Sequence, residues 1–333
     1  MPYDNSASQF RPELHAVVEQ AMASDSKFIA DLIFPVYPVE TDTGEYMRIK
    51  RGKGQLLSQA GGTTDATDPL VRAPGTEYRE VTRTEEKDSW KTLDRGLREV
   101  LDDKLKQKVA RFYDKEASTA KLLMRNIRIS REARVAAKVF NESNFGTAID
   151  ATGAASTMSE ANLATFDFPS YLRQAKLLIE KRQEDGGKLC LVISNNLWDR
   201  VSRSTLLRQY FFGTAGGSAS INRQMVAEKF ELADILVGKG SYDSSKVGKD
   251  ASDSTLVWTW PDTYFGVFNI QDGAPEMGGA GRTFVLEQMT AGQLFVTESD
   301  WDWKTRATTI RVREDNDSKV VNENAGVLVK TGN

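Results

Sequence analysis

His15 and Cys190 are the only histidine and the only cysteine in 333 residues, so the commonest nucleophile–base pairs have little to draw on. A serine or cysteine triad needs a base within reach of its nucleophile. His15 lies in an N-terminal stretch, where a surface position is expected. Cys190 sits in Leu189-Cys190-Leu191-Val192-Ile193, an apolar run that makes it a buried, inert thiol. One residue of each type excludes an intrachain disulfide and a Cys/His zinc site. Gly278-Gly279-Ala280-Gly281-Arg282-Thr283 is the nearest approach to a phosphate-cradling loop, but it lacks the lysine and leads into a strand pattern. Gly238-Lys239-Gly240-Ser241 follows a strand pattern, and no helix comes after it. Glu314-Asp315-Asn316-Asp317-Ser318 looks like a scrap of calcium loop without its downstream glutamate; a turn between strands is expected there. Asp300 and Asp302 share one face of a strand pattern, with Trp301 and Trp303 on the other. Such a pair could serve a carboxylate-based hydrolase, although the spacing is common by chance. Every familiar chemical site is missing or broken, and neither a cofactor nor an enzymatic activity is expected.

The elements around these residues are more telling. Hydrophobic content of 40% and charged content of 27% are ordinary globular values, and they allow a real core. The 44 basic and 47 acidic residues nearly balance, which argues against a dedicated nucleic-acid binder. No apolar stretch approaches the length of a membrane helix, and no basic-then-apolar signal architecture opens the chain; a reducing cytosol is the expected setting.

The first ninety residues read as an arm that cannot fold alone. Leu14, Val17, Val18 and Met22 recur at helical spacing, and the apolar cluster Phe28, Ile29, Leu32, Ile33 and Phe34 stops at Pro35. Tyr46-Met47-Arg48-Ile49-Lys50-Arg51 alternates apolar and basic residues, and Tyr78-Arg79-Glu80-Val81-Thr82-Arg83-Thr84 alternates on the way back. Two alternating runs around a glycine- and proline-rich loop predict a thin hairpin. So thin an arm buries too little apolar surface to offset its ordering entropy. It is therefore expected to lie across another copy of the chain. Contacts to that copy are assigned to Phe28, Ile29, Leu32, Ile33, Phe34, Tyr46, Arg48, Lys50, Arg51, Tyr78, Arg79 and Glu80.

Leu93, Leu97, Leu101, Leu105, Val109, Phe112, Ala117, Ala120, Met124 and Ile127 keep three-or-four spacing, predicting one long amphipathic helix from Asp94 to Ile127, with Ser130 capping a further turn or two. A second helix opens at Phe168-Pro169 and ends at Gly186-Gly187. A strand over Leu189–Ile193, helices at Leu197–Val201 and Ile221–Phe230, and a strand at Ala233–Val237 describe a compact α/β unit. Leu256–Trp260 and Tyr264–Phe268 are predicted strands flanking a turn, with Trp258 and Trp260 on one side. Thr283–Val296, Thr308–Val312 and Gly326–Lys330 are the remaining predicted strands.

This order of parts resembles the major capsid proteins of tailed bacteriophages, which have the Hong Kong 97-type fold. Phe34-Pro35-Val36-Tyr37-Pro38-Val39, with Gly44-Glu45-Tyr46 soon after, resembles the family's start of the extended loop. Leu189 to Trp198 resembles its entry into the axial domain, Trp258 to Phe268 its axial strands, and Arg311 to Gly326 its final peripheral strand. The likeness is one of layout over nearly the whole chain, and size points to the lambda-like branch.

The resemblance implies an α+β fold with five parts: an N-terminal arm (1–36), an extended β-hairpin loop (37–90), a spine helix and peripheral domain (91–186), an axial domain (187–275), and peripheral return strands (276–333). It implies a structural subunit of the virion, assembled in the host cytoplasm as hexamers and pentamers into an icosahedral shell around double-stranded DNA. The DNA contact would be non-specific, through scattered Lys and Arg. The axial tip, within 205–220 or 239–255, would meet its symmetry mates. A separate scaffolding protein, a portal and a decoration protein are the implied partners, with no membrane. An encapsulin-like nanocompartment shell is the alternative on the same fold.

Overall fold

The computed structural model describes residues 9–10, 12–23, 27–48, 74–75, 77, 86–110, 113–146, 148–153, 157–182, 187–213, 220–245, 255–287 and 293–332. The N-terminal part runs β1 (Gln9–Phe10), α1 (Pro12–Ala23), α2 (Ala30–Ile33), β2 (Val36–Val39) and β3 (Thr43–Arg48). The chain returns as β4 (Glu86–Lys91) and β5 (Leu93–Asp102), then α3 (Asp103–Val109), α4 (Lys115–Val139), α5 (Glu142–Phe145) and β6 (Ile149–Asp150). Next come α6 (Phe168–Arg182), β7 (Lys188–Ser194), α7 (Asn195–Arg203), α8 (Thr205–Phe212), α9 (Arg223–Lys229) and β8 (Asp234–Gly238). The last third is β9 (Ser241–Asp243), β10 (Leu256–Trp258), β11 (Tyr264–Ile270), β12 (Gly281–Leu286), β13 (Val296–Asp302), β14 (Ala307–Val320) and β15 (Gly326–Lys330).

Two sheets organise the molecule. The first is built on β14, the longest strand. β5 pairs with it from Asn316 back to Ala307. β13 (opposite Ala307–Arg313) and β12 (opposite Asn316–Val320) lie one after the other along its far side. β1 adds outside β13 and β2 adds, parallel, outside β12. The second sheet has the order β6-β15-β11-β7-β8. Helices α6 and α7 pack against it through Phe168, Leu172, Ala175, Ile179, Leu197 and Val201, which share a core with Leu191, Ile193, Phe265, Val267, Val327 and Val329.

Helix α4 is the spine. Asp114 caps it by accepting N–H bonds from Glu116 and Ala117 at 2.9 and 3.2 Å. Its first half buries Ala120, Leu123, Met124 and Ile127 against Val18, Leu101, Ile310 and Val312. Its second half presents Val135, Ala136 and Val139 to Ile33, Phe34 and Trp260.

Several sequence expectations are corrected. The long helix does not begin at Asp94: Leu93–Asp102 is a strand, and the helix proper starts at Lys115. Leu93, Leu97 and Leu101 are spaced by four, which keeps residues on one face of a strand as well as of a helix. Ser130 does not interrupt α4. Thr283–Val296 is not one strand, because β12 stops at Leu286 and β13 begins at Val296. β10 pairs with β9 rather than β11. Trp258 is 41% exposed while Trp260, past the strand end where alternation stops, is fully buried. The Glu314–Ser318 run is no turn but part of the second half of β14, with Glu314 and Asp317 met by Arg134 and Lys138 of α4. The final strand, β15, joins the second sheet rather than the first. His15 is buried on the inner side of α1 beside Leu14 and Val18, with Nε2 3.2 Å from the Glu19 carboxylate.

Candidate inter-subunit surfaces

The N-terminal cluster packs into its own subunit. Phe28, Ile29, Ile33 and Phe34 are all buried, and Leu32 alone of the five faces solvent, at 55%. α2 is held by Glu132 on the spine. This carboxylate accepts the N–H groups of Ile29 and Ala30 at 2.8 and 3.0 Å and the Trp260 indole N–H at 2.6 Å. Burial pushes its pKa up, and the three donors work against that rise. Arg131 ion-pairs with Asp31 at 2.8 Å and donates to the Thr283 hydroxyl, which donates to the Phe34 carbonyl. Gly281 fits because the Phe34 ring crosses it: an added Cβ would lie 2.5 Å from that ring. Ile29, Ile33 and Phe34 are thus covered by the spine and β12 of their own chain.

The hairpin is anchored the same way. β3 and β4 pair from Thr43↔Lys91 to Arg48↔Glu86, so the described return strand lies at 86–91. Trp90 stacks on Phe284 at 4.8 Å, with Tyr46 against the same ring at 5.3 Å. The Tyr46 hydroxyl bonds the Val320 carbonyl at 2.9 Å and Asp88 at 3.0 Å, and burial raises its pKa. Arg48 lies between Asp88 and Glu323 at 3.6 and 3.0 Å. Tyr46 and Arg48, assigned above to a neighbour, instead seat the hairpin's root on its own first sheet. Lys50, Arg51, Tyr78, Arg79 and Glu80 lie outside the described residues.

The chemical candidates have structural occupations. Burial pushes the Cys190 thiol up to about 11, far from a reactive thiolate. Arg282 is fully buried and donates to the carbonyls of Gly273, Gly278 and Gly281 at 2.8–2.9 Å, so the glycine turn binds its own arginine where a phosphate would sit. Asp302 accepts from the Lys304 N–H and the Thr305 hydroxyl at 2.9 Å each, and these bonds hold its pKa below the ordinary range, the opposite of a general acid's need. In the acidic run, Glu314 bonds Arg134, Asp317 bonds Lys138, and the Asn316 amide donates to Glu314 at 3.0 Å. No group of three His, Cys, Asp or Glu side chains among the described residues could hold a metal. No described helix is long and apolar enough to cross a membrane.

Several exposed apolar side chains sit at edges and tips. Leu93, Leu97 and Val100 are exposed on β5. Tyr242, Leu256, Val257 and Trp258 are exposed on the β9–β10 ribbon. Trp301 and Trp303, at 56% and 70%, flank the β13–β14 turn. The paired tryptophans were visible in the sequence. The β5 surface was hidden by its helical reading.

No family model matches the chain, and no curated protein matches it in sequence. The solved structures give the class: the fold is the Hong Kong 97-type fold of tailed-phage capsid proteins. The chain is similar to a phage-related protein from Bordetella bronchiseptica RB50, with a TM-score of 0.69 and 18% identity over 98% of each chain. It is similar to the capsid of the cyanophage P-SCSP1u, with a TM-score of 0.56 and 13% identity over 90% of this chain and 86% of that one. It is also similar to a virus-like particle from Pyrococcus furiosus, with a TM-score of 0.54 and 12% identity over 96% of this chain and 99% of that one.

Proposed function

We propose that this chain is the major capsid protein of a tailed phage or prophage, a structural subunit that tiles an icosahedral shell around double-stranded DNA. The observation that carries the reading is fold agreement along nearly the whole chain rather than in one domain. A rooted hairpin, exposed apolar tips and the structural use of Cys190, the glycine turn around Arg282, Asp302 and the acidic run fit a building block better than an enzyme. The hairpin beyond its root would overlie neighbours, hexamers and pentamers would form the shell, and scaffold, portal and decoration proteins would be its partners. Five such parts would divide the chain near 36, 90, 186 and 275, with β15 returning to the axial sheet. The test is negative-stain microscopy of the full chain produced with and without its phage's scaffolding protein. Closed shells are expected; a discrete small species under both conditions would sink the reading. A genome-free nanocompartment is the second reading, favoured by the likeness to the Pyrococcus furiosus virus-like particle. Particles holding nuclease-protected DNA support the first; particles holding a cargo protein and no DNA support the second.

A further inference from the structure

β5 borders the first sheet. β14 occupies one of its sides along the full strand, and among the described residues no strand pairs with the other. Long border strands are usually blunted by proline, a bulge or an inward charge, because their free N–H and C=O groups invite another strand. β5 has no proline, and its pairing runs without a bulge from Leu93↔Asn316 to Asp102↔Ala307, so its charges are the one such device it carries, and a partner strand must match them. Leu93 and Leu97 are 46% and 41% exposed on the face that also carries Arg95, Glu99 and the buried Leu101.

We propose that β5 pairs antiparallel with β5 of a second copy, across a twofold axis that passes through Leu97. This deepens the shell reading, on which it rests for the identity of the partner. A twofold perpendicular to a sheet keeps each residue on its own face, so residues of like parity meet. Centring the axis on Leu97 sets Leu97 against Leu97, Leu93 against Leu101, and Arg95 against Glu99 in both directions. Centring it on Arg95, Arg98 or Glu99 sets that charge against itself, which is unfavourable for directly opposed side chains. Centring it on Gly96 matches Asp94 with Arg98 but opposes Leu93 to Glu99 and shortens the overlap. Centring it on Val100 matches Arg98 with Asp102 but pairs only the last five residues of β5. Charge and overlap together thus select one register. In that register the two sheets become continuous and the exposed leucines are covered.

The test is a cysteine placed on the axis of the full-length chain. Directly opposed residues in an antiparallel pair have Cα atoms about 4.5–5.5 Å apart, within disulfide reach. Leu97→Cys under mild oxidation is expected to double the apparent mass on a non-reducing gel, reversibly with reductant. Val100→Cys is the control: its two copies would lie about 20 Å apart along the strands, so its mass should not change. The native Cys190 is buried and adds no background. Unlinked Leu97→Cys in concentrated or assembled protein, or equal linking by Val100→Cys, overturns the proposal. Shells of unlinked Leu97→Cys reject the strand pair and keep the shell reading. A linked dimer that never builds shells keeps the strand pair and counts against the shell. If Leu97→Cys does not fold, a charge swap decides. Glu99→Arg should lower the dimer fraction in sedimentation and Arg95→Glu with Glu99→Arg should restore it, while no restoration rejects the register.

Discussion

Glu132 has 1% of its surface exposed, yet it organises the junction between the N-terminal segment and the spine. A glutamine there keeps one acceptor and turns the other into a donor facing an N–H group. Glu132→Gln should therefore cost about 1–3 kcal/mol, read from urea unfolding. Its pH dependence has a definite sign. Because burial raises the folded-state pKa above that of the unfolded chain, the glutamate's linked contribution is full below about pH 4 and is lost as pH rises through the raised value. The stability gap between wild type and Glu132→Gln should narrow from pH 4 toward neutrality; a gap that widens would contradict the assignment. Nothing near Glu132 in sequence announces this role, since its partners Ile29 and Trp260 lie 103 and 128 residues away. Cys190 was legible because its apolar neighbours are adjacent in the chain.

At the level of elements, β14 and α4 are joined by charge as much as by apolar packing. Arg134 and Lys138 reach Glu314 and Asp317, and Glu314 is fully buried. Removing one partner of such a pair strands the other. Arg134→Met should destabilise the subunit by about 3 kcal/mol, while Arg134→Met with Glu314→Leu should recover much of that loss. Thermal unfolding of the two variants measures the difference, and equal losses would rule out the coupling. This junction explains why Glu314–Ser318 is a strand where its sequence predicts a turn: polar residues favour turns unless a distant element supplies their partners. α6, β7, α7 and β8 were readable because each carries its own periodicity and breakers. β5 was not, because a spacing of four fits both kinds of element and only its pairing with β14 decides between them.

For the whole molecule, the order of parts was legible because it follows the chain, whereas the ownership of contacts was not. The stretch from β1 to β3 is expected from sequence to lie on a sister copy; in the structure β1 and β2 add to its own first sheet and the hairpin roots on Phe284. On the shell reading, any intermolecular reach of the arm falls to the hairpin beyond its root. Deleting Gly52 to Pro74 should leave a folded subunit with a melting temperature near wild type that fails to form shells. Wild-type-like particles by electron microscopy would refute the loop's role. The pairing of β14 and β15 also bears on timing. The first sheet assembles around 307–320, and the second has 326–330 seated between β6 and β11. A chain part-way through synthesis therefore offers β5 and β11 with vacant flanks and neither sheet complete. Such late, long-range closure delays folding until nearly the whole polypeptide has emerged, so the chain presents its finished surfaces only once it is complete.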